Sequence, residues 1–346
     1  MDKKVCFGVI GCGTISPWHI NGILKNSEAK LVAVADENEE KAKKIAEKYN
    51  AVYYTDYKKL LEDKKIDAVC LCTPSSLHSE QAILAARAGK HVLTEKPMAI
   101  NLEDADKMIY ECRKANVKLG VIFQRRTDEI FIRIKKAIDN NELGKIVLGD
   151  IYMKYYRSQE YYDSANWRGT WKYDGGGALM NQGIHIIDLI RWYIGPVDTI
   201  FGFAEHLVRK IEVEDTAVAV LKFKNGALGV IEGTTSVYPP TIPHRIEIHG
   251  EKGTIIVEGE DIIRWDVMGS DGNPVSKLDE VKKETTKPIT SPTDIGMEGH
   301  RKQIADFIES IKTGKEPVVN GEEGRKSLEI ILAIYESAKT KLPVKL

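Results

Sequence analysis

The sequence predicts a doubly wound α/β domain followed by an α+β domain built on a large, open, mostly antiparallel sheet. Three observations carry this. Through residue 122, short apolar runs alternate with helix-period segments. A glycine turn follows the first run directly, and after Phe123 the rhythm changes to strand-like segments closed by two amphipathic helices. The 346 residues suit two domains at roughly 150 residues each, set here at 1–122 and 123–346, with the C-terminal helices able to pack back on the first domain.

In order, Val5–Ile10 reads as the first strand, and a helix follows from about Pro17 to Lys25. Leu31–Ala35 precedes a second helix, Glu39–Tyr49, rich in Glu, Lys and Ala. Ala68–Cys72, Ser79–Ala88, His91–Leu93, Leu102–Ala115 and Lys118–Ile122 continue the strand–helix alternation of a parallel sheet. Glu129–Asn140 is a connecting helix, and Ile146–Arg157, with its β-branched and aromatic residues, is a strand. A loop carrying Trp167, Arg168 and Trp171 leads to Gly175-Gly176-Gly177. Ala178–Tyr193 is then helical, stopped by Gly195-Pro196. Strand-like segments run from Val197 to Trp265, with Asn225-Gly226 as a hairpin turn between Thr216–Phe223 and Ala227–Thr234, and Arg245–His249 beyond. Gly269–Ser291 reads as a loop excursion, and Glu298–Lys312 and Gly321–Lys339 are the closing helices.

Composition excludes whole classes. Lys+Arg at 50 against Asp+Glu at 51 leaves a net charge of −1, without the basic surplus that nucleic acid demands. With 42% hydrophobic and 29% charged residues the chain is globular, and no apolar run approaches the ~20 residues of a membrane span. Asp2-Lys3-Lys4 before an apolar stretch resembles a signal peptide, but Gly8, Gly11 and Gly13 fit a buried first strand better. The five cysteines are an odd number, all in the first third, and read as reduced thiols in a cytoplasmic protein. A metal on Cys70 and Cys72 would need two further ligands at suitable spacing. None is present, so no metal is expected and both read as small apolar fillers.

Gly8-Val-Ile-Gly11-Cys-Gly13-Thr14-Ile15-Ser16 joins the first strand to the first helix. Gly11 allows the tight turn, Gly13 lets the backbone approach a pyrophosphate, and the helix N-terminus favours its charge. Ser16 stands where the Rossmann fingerprint has its third glycine. Asp36, 25 residues beyond Gly11 at the end of the second strand, would bond ribose hydroxyls and repel a 2′-phosphate, so NAD is expected over NADP. Asp36 is equally placed to cap the helix that starts near Glu39.

Thr94-Glu95-Lys96-Pro97 ends the fourth predicted strand, at the sheet edge where open α/β folds bind ligands. A Glu-Lys pair alone is equally a surface ion pair. Together with the glycine turn and the downstream Gly-rich segment bearing His185, however, it resembles the Gfo/Idh/MocA oxidoreductase family over essentially the whole chain. That resemblance implies an NAD-dependent dehydrogenase in which Lys96 touches both nicotinamide ribose and substrate hydroxyl. It implies further cofactor contacts from Glu95, Thr73, Pro74, His78, Gln124, Trp167 and Arg168. Asn181 and His185, four residues apart, are placed on one helix face. Many family members carry Asp at the first of these positions. An asparagine orients a hydroxyl but cannot accept its proton, so His185 or a neutralised Lys96 is left as base. Asp188 would support His185, which by itself is equally a satisfied core histidine.

Gln159-Glu160-Tyr161-Tyr162, Trp167–Trp171 and the run Gly175–His185 are similar to one branch, the NAD-dependent 3-dehydrogenases of UDP-N-acetylglucosamine-type sugars and their uronic acids. Tyr156, Arg157, Gln159 and Gln182 are candidate substrate contacts, with sheet packing the alternative for the tyrosines. Oxidation of a free polyol such as inositol is a second reading, with Asn181 in place of Asp against it. A non-catalytic NAD-binding redox sensor is a third, and needs neither Lys96 nor His185. An open sheet face exposes apolar surface, which predicts a homo-oligomer, dimer or tetramer.

Overall fold

The computed structural model describes residues 4–285 and 292–346. The chain runs β1 (Val5–Ile10), α1 (Ser16–Leu24), β2 (Ala29–Ala35), α2 (Glu39–Tyr49), β3 (Val52–Tyr54), α3 (Tyr57–Glu62), β4 (Ala68–Leu71), α4 (His78–Arg87), β5 (His91–Thr94), α5 (Leu102–Lys114) and β6 (Leu119–Val121). Then follow α6 (Glu129–Asp139), β7 (Ile146–Lys154), α7 (Gln159–Asp163), a π-helical turn (Ala178–Gly183) and α8 (Ile184–Ile194). The remainder is β8 (Val197–Glu205), β9 (Thr216–Phe223), β10 (Leu228–Thr234), β11 (Arg245–Gly250), β12 (Gly253–Glu258), β13 (Asp261–Met268), β14 (Pro274–Ser276), α9 (Leu278–Thr285), α10 (Pro292–Thr313), α11 (Gly321–Thr340) and β15 (Val344–Lys345). Two compact units result: Met1–Thr127 with Ile289–Arg325, and Asp128–Pro288 with Lys326–Leu346.

The first unit is a six-stranded parallel sheet in the order β3-β2-β1-β4-β5-β6. Its inner strands are buried on both faces, as in the four buried residues Ala68–Leu71 of β4, which is why they read as continuous apolar runs. Helix starts follow capping rules: Asn38 accepts from Lys41 N–H ahead of α2, and Asn101 from Asp104 N–H ahead of α5. On one side of the sheet α10 packs against α1. A Cβ at Gly22 would stand 2.5 Å from Ile304 Cδ1, so the glycine permits this close approach, and Ile20, Ile23, Ile304 and Phe307 are buried in the resulting core.

The second unit is a nine-stranded sheet in the order β14-β13-β12-β11-β7-β10-β9-β8-β15, antiparallel except where β10 runs parallel to β7. The Asn225-Gly226 hairpin joins β9 to β10 as expected, with Gly226 at φ +91°. Burial alternates along β9, so Val218 and Val220 point outward while Ala217, Ala219 and Leu221 point in.

Two sequence expectations are corrected, and two elements are present that the sequence did not announce. Val52–Tyr54 is a strand, so the strands taken as third and fourth are β4 and β5; its exposed edge position leaves no burial pattern to read. Gln159–Asp163 forms a short helix. Ala178–Tyr193 is not one α-helix, since its first six residues make a π-helical turn. Gly269–Ser291 contains β14 and α9, with Val281 buried, while 286–291 lie outside the described residues.

Candidate active site

Parallel register brings one edge of the first sheet into line. Ala35, Ile10, Leu71, Thr94 and Val121 are successive partners across β2, β1, β4, β5 and β6. Gly11, Asp36, Thr73, Glu95 and Lys96 therefore leave the sheet at the same edge, with Gln124 in a short 3₁₀ turn just after β6. Gly11 is at φ +95°, and a Cβ there would lie 2.6 Å from Cys72 O, so both conformation and proximity require glycine. Gly13 is different: a Cβ there would meet nothing within 4 Å, so no protein atom demands it and the space above it is open.

Thr14 and Ile15 lead into α1, which starts without a side-chain cap and with no acidic residue in its first turn. Its N-terminal field is thus left for an outside anion. Ser16 replaces the third glycine at no cost, because its Oγ turns back to donate to Gly13 O at 2.9 Å.

Asp36 does not cap α2; Asn38 does. The Asp36 carboxylate instead accepts from Cys12 N–H at 2.8 Å and Asn38 N–H at 2.9 Å, which ties it to the glycine turn with acceptor capacity left for hydroxyls. This donor set, with a capless helix start and an open Gly13, fits a dinucleotide. Cys12, Cys70, Cys72 and Cys112 are buried, and burial pushes the Cys12 thiol up to about 12. Thr73 Oγ1 donates to Gln81 at 2.7 Å. His78 is fully buried, its ring nitrogens 2.8 Å from Pro97 O and 2.9 Å from Thr73 O, so it braces the Thr73-Pro74 loop against the Lys96-Pro97 loop.

Sequence reasoning missed the partners of Glu95. Its Oε1 lies 2.8 Å from His19 Nε2 on α1 and 3.2 Å from His300 Nε2 on α10, and its Oε2 accepts from Lys96 N–H. Burial alone would raise the Glu95 carboxyl, but the bonds from His19 and His300 outweigh it and hold it well below the usual carboxylate range.

The second unit carries the other candidates. The glycine run is shaped by protein contacts: Gly175 is at φ +77°, a Cβ at Gly176 would lie 2.3 Å from Tyr335 Oη, and one at Gly177 would lie 1.8 Å from Glu214 O. The Glu214 carboxylate accepts from Gly177 N–H at 2.8 Å, Leu179 N–H at 2.9 Å and Tyr335 O–H at 2.8 Å, anchoring the start of the π-helical turn. Asn181 lies in that turn and donates to Asp174 Oδ1 at 3.0 Å, and Asp174 Oδ2 accepts from Gly169 N–H. His185 is in the first turn of α8, and Asp188, fully buried, accepts from Ser327 O–H at 2.7 Å. Asp174, Glu214 and Tyr335 thus hold the segment that carries Asn181, although nothing local in the sequence marks them.

Around Tyr156 and Tyr161 three arginines gather. The Arg157 and Arg168 guanidiniums lie 5.3 and 4.3 Å from the Tyr161 ring centroid, and Arg209 lies 5.0 Å from that of Tyr156. Arg168 also stacks at 4.5 Å on Trp167 and donates to Tyr161 Oη at 2.5 Å, to which Gln182 donates at 3.2 Å. The Nε atoms of Arg168 and Arg209 are buried with no hydrogen-bond partner among the described residues. Gln159 is engaged by the Lys210 backbone at 2.9 and 3.3 Å.

Residues 5–123 match the model of an oxidoreductase family's NAD-binding Rossmann fold, and 135–346 match the same family's C-terminal α/β domain. The chain is 33% identical over 346 residues to the myo-inositol 2-dehydrogenase of Thermotoga maritima, covering 98% of each protein. The crystal structure of the WlbA dehydrogenase from Bordetella pertussis, in complex with NADH and UDP-GlcNAcA, superposes at a TM-score of 0.91 and 38% identity, covering 100% of this chain and 99% of that one. The WlbA dehydrogenase from Chromobacterium violaceum, with the same ligands, gives 0.91 and 35% over 100% and 97%. The chain belongs to the Gfo/Idh/MocA oxidoreductase family and is an NAD-dependent dehydrogenase acting on CH–OH groups.

Proposed function

We propose that the chain oxidises the C3 hydroxyl of a UDP-N-acetylhexosamine or of its uronic acid, in the cytoplasmic synthesis of a surface polysaccharide. The observation that carries this is the arginine group. Glu160 feels the charge of Arg209, and the Nε atoms of Arg168 and Arg209 are buried with no hydrogen-bond partner among the described residues. Diphosphate and uronate oxygens answer that need and a neutral polyol does not. The likeness to two dehydrogenases solved with UDP-GlcNAcA supports the same reading.

Bound NAD supplies the hydride acceptor. Asp36 would bond its ribose hydroxyls, Gly11 to Ile15 would receive the pyrophosphate, and Thr73, Pro74, His78, Glu95 and Gln124 would line or brace the nicotinamide half, with Trp167 and Arg168 as further candidate contacts. Lys96, as ammonium, stabilises the charge that develops on the C3 oxygen as hydride leaves, and His185 takes the hydroxyl proton. Asn181 orients that hydroxyl, while Tyr156, Arg157, Gln159 and Gln182 hold the nucleotide sugar. The Tyr161 ring lies against both Arg157 and Arg168.

A second reading, oxidation of a free polyol, is favoured by the myo-inositol 2-dehydrogenase relative. NADH formation measured against UDP-sugars and inositol separates the two. Turnover of UDP-N-acetylglucosaminuronate is expected, with R168A and R209A each raising its KM on the order of ten-fold. Turnover of inositol without any UDP-sugar would reverse the choice.

The same proposal includes a homo-oligomer formed through the open sheet face. Phe203 and Val218 are register partners, and with Val220 they stand 51%, 45% and 53% exposed on adjacent strands. V218K together with V220K should lower the mass measured by light scattering, whereas a monomeric parent at micromolar concentration would remove this part.

A further inference from the structure

Glu95, His19 and His300 form a node that lies wholly within the first unit, and the two histidines have no place in the steps above. An ionised carboxylate only accepts, so both histidines donate through Nε2. That choice leaves His19 Nδ1 as a buried nitrogen without a partner, and burial lowers the His19 pKa, so the ring is a neutral donor. The two imidazoles meet edge to face at 5.4 Å, and Trp18 closes on His300 at 5.2 Å. Among the described residues, the titratable groups that also face Glu95 are His78 from α4 and the thiols of Cys70 and Cys72 at the end of β4, which burial keeps protonated, while Lys96 on its own loop gives it a backbone N–H. The three ligand-type atoms lie within 4.8 Å of one another, but a 2.8 Å nitrogen–oxygen separation is hydrogen-bond spacing, shorter than the ~3.3 Å edge of a tetrahedral zinc site.

We propose that His19 and His300 are positioning residues for Lys96: by donating to Glu95 they fix the buried carboxylate that accepts from Lys96 N–H, and so hold the loop that carries Lys96. This rests on the assignment of Lys96 to the substrate hydroxyl. With both donors in place Glu95 stays ionised through the assay range. With one removed, burial takes over and Glu95 titrates within it.

The test compares pH profiles of kcat for the parent, H300L, H300Q and E95Q, with KM for NAD and melting temperature recorded for each. H300Q keeps an N–H donor and should track the parent. E95Q should run about ten-fold low at every pH, without a limb of its own. H300L should join the parent at high pH and E95Q at low pH, so that its acid limb lies at least one pH unit higher than the parent's. A loss in H300L that is the same at all pH values, or an E95Q protein as fast as the parent, would overturn the proposal; E95Q decides it even if H300L does not fold. Stoichiometric zinc in the purified parent that is lost from H300L would also overturn it, since an ion would then organise the node. A K96A protein with parental rate would instead fail the assignment of Lys96 itself.

Discussion

The Asn181 amide donates to Asp174 Oδ1 across 3.0 Å, so this side chain is held by a buried aspartate. N181D would set two carboxylates in that contact, and like charges so close cannot both ionise. The expected variant has one carboxyl raised into the neutral range, a kcat that falls with a new acid–base transition, and a melting temperature that drops as pH rises from 6 to 8. Adding D174N should recover more stability than the single effects sum to, read as a double-mutant cycle. Additive effects would mean that the two side chains do not act on each other.

In the proposed reaction Lys96 and His185 each handle charge on the reacting oxygen, and neither role can pass to Asn181. K96A and H185A should each lower kcat on the order of 10²-fold or more while the folded enzyme still quenches its fluorescence on adding NADH. Initial rates on the UDP-sugar measure the first effect and titration the second. A loss confined to KM would reassign either residue to binding.

Asp36 accepts two backbone N–H groups and is proposed to bond the ribose, so its replacement has two consequences. D36S with E37R should move the kcat/KM preference from NAD towards NADP, because a hydroxyl and a cation replace the carboxylate that repels a 2′-phosphate. It should also lower the melting temperature, through the bond lost at Cys12 N–H. Unchanged cofactor ratios would remove Asp36 from the ribose.

Burial pushes Glu214 up to about 7, against bonds from Leu179, Tyr335 and Gly177. An acid raised on folding stabilises fully below its ordinary value of 4.5, and that contribution is lost as pH rises through about 7. Relative to E214Q, the parent should therefore lose about 2 to 3 kcal/mol between pH 5 and pH 8. Calorimetry across that range measures it; a constant offset between the two proteins would mean that Glu214 does not titrate there.

What could be read in advance divides by distance along the chain. The inner strands β1, β4 and β5 announce themselves because both faces are largely buried and their residues are mostly apolar. Val52–Tyr54 does not, since an exposed three-residue edge strand carries no pattern. The π-helical turn is invisible because six residues cannot distinguish its period from that of an α-helix. Lys96, Asp36 and His185 lie in local motifs. His300 meets Glu95 across 205 residues and Tyr335 meets Glu214 across 121, and such pairings leave no spacing to recognise. The glycine run was legible as a landmark, but its cause, the approach of Glu214 and Tyr335, was not.

The packing of α10 on α1 bears on how the protein is made. The first unit takes its last helix from residues beyond 288, so the face of α1 that bears Gly22 stays uncovered on the ribosome until almost the whole polypeptide has emerged. Ile20 and Ile23 wait in that interval without Ile304 and Phe307. A nascent chain arrested near residue 130 therefore presents an apolar helix face to chaperones rather than a finished nucleotide-binding domain, and release from them is timed by the synthesis of residues 292–313.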